Sequence, residues 1–268
     1  MSEAPPRPLK GKRILVTREE SKTSVFARIL EKRGASVLAI PLMRFVDPES
    51  WEPLDQALVN LGRFQILLFT SANAVERFFD RLLRIAPGGK LPGTISIAAV
   101  GPKTGQAVGR YGGQVSYIAD SFRAEGLLQK LSGEKVAGAE ILFPRAQEAR
   151  EILIEELERR GARVTLATVY RTLPVDESRE PLRAALAAGQ MDVVTFTSAS
   201  AVRHFLDMAD DSDLPARMRG VAVACLGEIT AEAARERGLA PAIVPARSTL
   251  EDFADAIADH YAAAGEPR

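Results

Sequence analysis

The chain has 268 residues, 46% hydrophobic and 26% charged, with 35 basic side chains balancing 35 acidic ones. This composition suits a globular protein of one large or two ordinary domains. Zero net charge excludes a molecule built throughout for nucleic acid, while leaving room for local basic clusters that hold a small anion.

Residues 1–12 carry three prolines and no apolar core, and read as a disordered lead-in, not a secretory signal. Ile14, Leu15 and Val16 make a short buried strand ending at Thr17-Arg18. A helical stripe of Val25, Phe26, Ile29 and Leu30 follows and stops at Gly34. Residues 36–45 read as a second strand interrupted by Pro41, residues 47–53 as a loop, and residues 54–61 as a short helix. The apolar run Ile66-Leu67-Leu68 leads into Thr70-Ser71-Ala72-Asn73 and a helix reaching about Ile85. Residues 95–100 form a strand, Gly101-Pro102-Lys103-Thr104 turns into a short helix, residues 115–118 form a strand and residues 124–131 a helix. No apolar run approaches a membrane span.

The second half replays the first. Phe69-Thr70-Ser71-Ala72 returns as Phe196-Thr197-Ser198-Ala199, 127 residues later. At the same displacement Arg145 answers Arg18, and Arg160-Gly161-Ala162 answers Arg33-Gly34-Ala35. Leu226-Gly227 answers Val100-Gly101, and the segment from Ser248 answers the one from Ser121. A period this long is a duplicated domain. Strands alternating with helices predict an α/β fold: two similar doubly wound parallel-sheet domains with a cleft between them.

In open parallel sheets, ligands bind beyond the C-terminal strand ends, at helix N-termini. Those positions hold Thr17, Arg18, Thr70, Ser71, Ala72, Asn73, Gly101, Lys103 and Thr104 in one repeat. The other repeat places Pro144, Arg145, Ser198, Ala199, Ser200, Gly227 and Thr230 there. Ser, Thr and Asn are ordinary helix caps, and capping alone explains Ser71 or Ser198 singly. Donors at every strand end of both repeats point instead to a poly-anionic ligand. Glu228 stands where Pro102 stands in the first repeat, and is expected to face away from such a ligand. The single Cys225 lies in an apolar run and reads as a buried strand residue in a reduced, cytoplasmic protein. Two histidines and one cysteine cannot assemble a zinc site. The Gly101–Gly105 turn has the wrong spacing for a nucleotide-phosphate loop.

With Thr168-Val169-Tyr170-Arg171-Thr172, the strand-end phrases and the two glycine turns, the chain resembles the uroporphyrinogen-III synthase family from about Ile14 to Ala258. The resemblance implies a two-stranded hinge at residues 38–45 and 164–173. Residues 1–37 and 174–268 would form a discontinuous domain one, and residues 46–163 domain two. It implies that the first strand and helix pack with the C-terminal half. It also implies a cofactor-free cyclising dehydratase of tetrapyrrole and haem biosynthesis, converting hydroxymethylbilane to uroporphyrinogen III with the last ring inverted. Tyr170 matches the family's proposed proton donor; packing between domains is what its residue type alone suggests. The eight carboxylates of the substrate suit the donor-rich edges, with local attraction from Arg18, Lys103, Arg145 and Arg171. A monomer is expected, with a transient contact to the upstream deaminase and no nucleic-acid or membrane partner. Two rivals are a non-catalytic ligand-sensing domain of this fold and a two-domain hinge protein binding a small anionic ligand. The lack of an attached signalling segment weighs against the first, and 6% aromatic content against the second.

Overall fold

A computed structural model describes residues 8–18, 20–119, 124–131, 136–148, 152–210 and 212–264. Two compact units emerge, one from Met1–Arg44 with Leu173–Arg268, the other from Phe45–Thr172. Eleven strands are described: β1 Arg13–Val16, β2 Ser36–Ala39, β3 Met43–Val46, β4 Ile66–Phe69, β5 Ser96–Ala99, β6 Val115–Ile118, β7 Glu140–Ala146, β8 Arg163–Pro174, β9 Val193–Phe196, β10 Ala222–Cys225 and β11 Pro241–Ile243. They form a five-stranded sheet, β11-β10-β9-β1-β2, and a six-stranded sheet, β3-β8-β7-β4-β5-β6.

The sheets exchange parts of the two repeats. β1 and β2 belong to the first repeat by sequence but complete the sheet of β9, β10 and β11. β7 and β8 belong to the second repeat and complete the sheet of β4, β5 and β6. The registers agree under the repeat: Ile14 pairs with Val193, and its counterpart Ile141 pairs with Ile66. Pairing from β2 through β11, and from β8 through β6, is parallel. The central strands β4 and β9 are buried at every residue, as strands covered on both faces must be.

The helices follow from apolar spacing. Helix Ala72–Ile85 buries Ala74, Val75, Phe78, Phe79 and Leu82, the i, i+3, i+4 stripe that faces a core. Helix Ala199–Ala209 repeats it with Ala201, Val202, Phe205, Met208 and Ala209. In the first unit, helices Glu20–Lys32 and Leu250–Ala264 meet through Phe26 and Phe253, whose rings stack 5.2 Å apart.

Three details depart from the sequence reading. The lead-in is packed at its described residues: Leu9 is fully buried in the first unit's core, and its amide donates to the Arg33 carbonyl at 3.0 Å. Residues 1–7 lie outside the described residues, as does Ser121. The segment 47–53 is a loop only in part, because helix Glu52–Val59 starts within it; Pro53 serves in the first turn, where a missing N–H costs nothing. The strand 36–45 becomes two strands in two different sheets. Pro41 cannot donate to a ladder, and its carbonyl accepts from Ser178 Oγ at 2.7 Å.

Candidate active site

Both predicted strand-to-helix mouths exist. Ser71, with extended backbone, caps helix Ala72–Ile85 by accepting the Ala74 N–H at 3.1 Å. Ser198 caps helix Ala199–Ala209 the same way, accepting from Ala201 N–H at 3.2 Å. Such a cap contributes about 1 kcal/mol. The first-turn amides at Ala72 and Asn73, and at Ala199 and Ser200, point out of their helices toward the C-terminal sheet edge. Thr70, Ser71, Ala72 and Asn73 are half-buried, as are Ser198, Ala199 and Ser200.

The two units differ at their topological switch points, where strand order reverses and ligands of this architecture collect. In the first unit the point lies between β1 and β9. It is laced shut: Thr17 Oγ1 donates to the Thr195 carbonyl at 2.7 Å, and Thr195 Oγ1 to the Leu15 carbonyl at 2.9 Å. Thr17 is fully buried, so the expectation that it contacts a ligand is corrected: its hydroxyl is spent on the neighbouring strand. In the second unit the switch lies between β7 and β4, and pairing stops at Leu67 with Leu142, one residue earlier than in the first unit. Pro144, the counterpart of Thr17, follows with no N–H to prolong the ladder. Arg145 lies just beyond, 7% exposed, with Nε donating to the Ala146 carbonyl and the guanidinium 5.8 Å from the Phe143 ring. Its counterpart Arg18 is half-buried.

Tyr170 reaches this strand end from β8. Register shifts between Arg145 and Ala146, so that Ala146, and not Gln147 one residue later, faces Tyr170. The ring is 7% exposed and packs edge-on against Phe45 at 5.3 Å. Its hydroxyl lies 3.3 Å from Ser71 Oγ. Burial pushes the phenol above its ordinary value, while Ser71 and Asn73 pull it back. The hydroxyl therefore keeps its proton at neutral pH, in contact with Ser71 Oγ and with its ionised form favoured by Ser71 and Asn73. Phe45 and the role of Pro144 were missed from sequence; no motif marks either, although Pro144 stands out once the repeats are aligned.

The remaining predicted residues divide. Lys103 is exposed in the first turn of helix Pro102–Arg110. Thr104 and Thr230 are buried, at 4% and 6%, and Thr104 Oγ1 is turned to the Val100 carbonyl at its own helix start. Arg171 is already engaged, donating to Glu49 at 2.8 Å and to the Asp47 carbonyl at 3.2 Å. Glu228 reaches along its own helix to Arg235 at 2.6 Å, which neutralises it at the mouth. Cys225 is buried and its thiol pushed up to about 12, too high for a nucleophile.

Gly101 and Gly227 occupy equivalent turns in different conformations. Gly101 has φ 98 and ψ 161, a region open only to glycine. Gly227 is extended at φ −168, and an added Cβ would meet the movable Ser248 Oγ. Gly101→Ala is therefore expected to destabilise the second unit by about 1–3 kcal/mol, and Gly227→Ala by only a few tenths. Chemical denaturation of the two variants checks this; equal losses would contradict it.

The uroporphyrinogen-III synthase HemD family profile matches residues 24–255. A uroporphyrinogen-III synthase of Synechococcus elongatus is 34% identical over 235 residues, 86% of this chain and 88% of the relative. A putative uroporphyrinogen-III synthase of Methanothermobacter thermautotrophicus is 32% identical over 91% of this chain and 96% of its own. Among solved structures, a mutant uroporphyrinogen III synthase of Thermus thermophilus superposes with TM-score 0.71 at 21% identity, covering 94% of this chain and all of that one, a likeness of fold.

Proposed function

The chain belongs to the uroporphyrinogen-III synthase family, and on that premise we propose that it closes hydroxymethylbilane into uroporphyrinogen III, releasing water and inverting the last pyrrole ring. The substrate cyclises unaided to the uninverted isomer, so the protein's first task is to hold the chain in one folded pose. Its second is to help the hydroxyl leave. The carbon–oxygen bond breaks with its electron pair on oxygen, assisted by the pyrrole nitrogen, and Tyr170 supplies the proton that turns the departing group into water. The last ring attacks through its substituted carbon to give a spiro intermediate, which fragments and recloses inverted. The proton shed as that ring regains aromaticity restores the phenol.

The observation that carries this reading is the Tyr170 hydroxyl, on a buried residue yet in contact with Ser71 Oγ beyond the last β4–β7 pair of the second unit. Donors at Ser71, Ala72, Asn73, Gly101 and Lys103 there, and at Arg18, Ser198, Ala199, Ser200 and Gly227 in the first unit, are read as carboxylate-binding positions. A monomer working in the cytoplasm without a cofactor completes the reading. Among the described residues, no helix is long and apolar enough to cross a membrane.

The test is isomer identity. Purified protein, fed bilane by a coupled upstream deaminase, is expected to yield the type III porphyrinogen, separated chromatographically after oxidation. Type I alone would overturn the proposal.

A further inference from the structure

The geometry points to Ser71 and Asn73 as positioning residues that fix the Tyr170 hydroxyl and donate to its oxygen while its proton departs. This rests on reading Tyr170 as the proton donor. The internal repeat supplies the comparison that separates this role from capping. Ser198 caps its helix with the same geometry as Ser71, at 3.2 Å against 3.1 Å. Yet the counterpart of Tyr170 in the first repeat is Met43, and that of Asn73 is Ser200. A helix start of this kind needs neither a tyrosine nor an asparagine. Only the second unit has the three-residue cluster.

Ser71 Oγ accepts from the Ala74 N–H and still has its own hydrogen, so it can donate toward Tyr170 Oη, 3.3 Å away, once the phenol proton is turned to the leaving oxygen. Asn73 has an amide N–H to offer as well. When the phenol proton passes to the leaving oxygen, the phenolate left behind accepts from both, beside a helix N-terminus whose dipole favours negative charge. The charged groups on the surrounding elements are engaged. Arg171 holds Glu49, Glu76 pairs with Arg110, Arg77 pairs with Asp47, and Arg145 donates to the Ala146 carbonyl. Ser71, in contact with the phenol oxygen, and Asn73 are the side chains that favour its ionised form.

Type III formation is measured across pH in Ser71→Ala, Asn73→Ala, Ser71→Thr and Tyr170→Phe, together with the carbon-13 signal of the Tyr170 ring carbon bearing oxygen. Loss of either donor is expected to lower kcat about ten-fold, with KM changing less, and to move the alkaline limb of kcat up by about one pH unit. The ring-carbon signal shifts in both alanine variants, and Ser71→Thr restores all three readouts. Ser198→Ala, which removes the matching cap, leaves the Tyr170 signal in place. An unmoved alkaline limb and ring-carbon signal in both alanine variants overturn the inference, as does wild-type kcat in both. Tyr170→Phe turning over at the wild-type rate sinks the donor reading itself, and the ring-carbon signal still reports whether Ser71 and Asn73 hold the phenol.

Discussion

Tyr170→Phe is expected to slow type III formation by about 10- to 100-fold and to leave the residual product of the same isomer type. General acid catalysis by a positioned side chain is worth roughly 100- to 10,000-fold. The effect falls to the bottom of that range or below it because the leaving group is already expelled by pyrrole nitrogen electrons, and because positioning is shared by many donors. The substitution keeps the aromatic ring against Phe45. It removes only the hydroxyl, and Ser71 and Asn73 are half-exposed and can hydrate in its place. Thermal stability should therefore hold within about 1 kcal/mol, which separates a chemical loss from a folding one. The pH dependence has a definite sign. An acid must carry its proton, so turnover falls as pH rises through the phenol's pKa. Burial raises that pKa above the ordinary tyrosine value, so the alkaline limb of kcat sits above about 10 in the wild type and disappears in Tyr170→Phe. Complete inactivity of a folded variant would mean that positioning alone contributes nothing, and an unchanged rate would remove Tyr170 from the chemistry.

Much of the fold was legible because parallel sheets write themselves plainly. Ile66 to Phe69 is an unbroken apolar run and Val193 to Phe196 is one but for Thr195, since both faces are covered, and each is followed by a Ser that caps the next helix. Burial, by contrast, was not legible at single threonines. Thr17, Thr104 and Thr230 look like ligand donors because a hydroxyl can donate in either direction, to a ligand or back to its own backbone, and spacing carries no sign of which. The contrast between the switch points is equally silent until register is known. Pro144 and Thr17 occupy equivalent positions, but one ends a ladder and the other stitches it. Arg171 shows the same limit for charge: a basic residue beside Tyr170 looks available until Glu49, 122 residues away, is placed against it. Leu9 was misread for a related reason. Composition marks the first twelve residues as polar and Pro-rich, and one leucine among them suffices to anchor the segment when a pocket in the core awaits it.

Phe253→Ala is expected to cost about 3–5 kcal/mol, a large share of the roughly 5–15 kcal/mol that holds a domain folded. Phe253 is fully buried and stacks on Phe26 at 5.2 Å with the rings 2° from parallel, so truncation empties a site that rigid neighbours cannot collapse into. The two rings belong to the first and last helices among the described residues, which gives the substitution a diagnostic use. Helix Glu20–Lys32 is packed on the sheet of β9, β10 and β11, together with helix Leu250–Ala264. Helix Ala72–Ile85 belongs to a separate core around Phe69, Phe78 and Phe79. Hydrogen exchange should follow these cores and not the repeats. In Phe253→Ala the amides of residues 20–32, 193–196 and 250–264 should lose protection together, while those of β4, β5 and helix Ala72–Ile85 keep theirs. If the first helix instead tracked β4 and β5, with which it shares a repeat, the exchange of segments between sheets would be wrong. The measurement thus reads the topology directly from energetics: a chain whose first helix is held by its last must lose both at once.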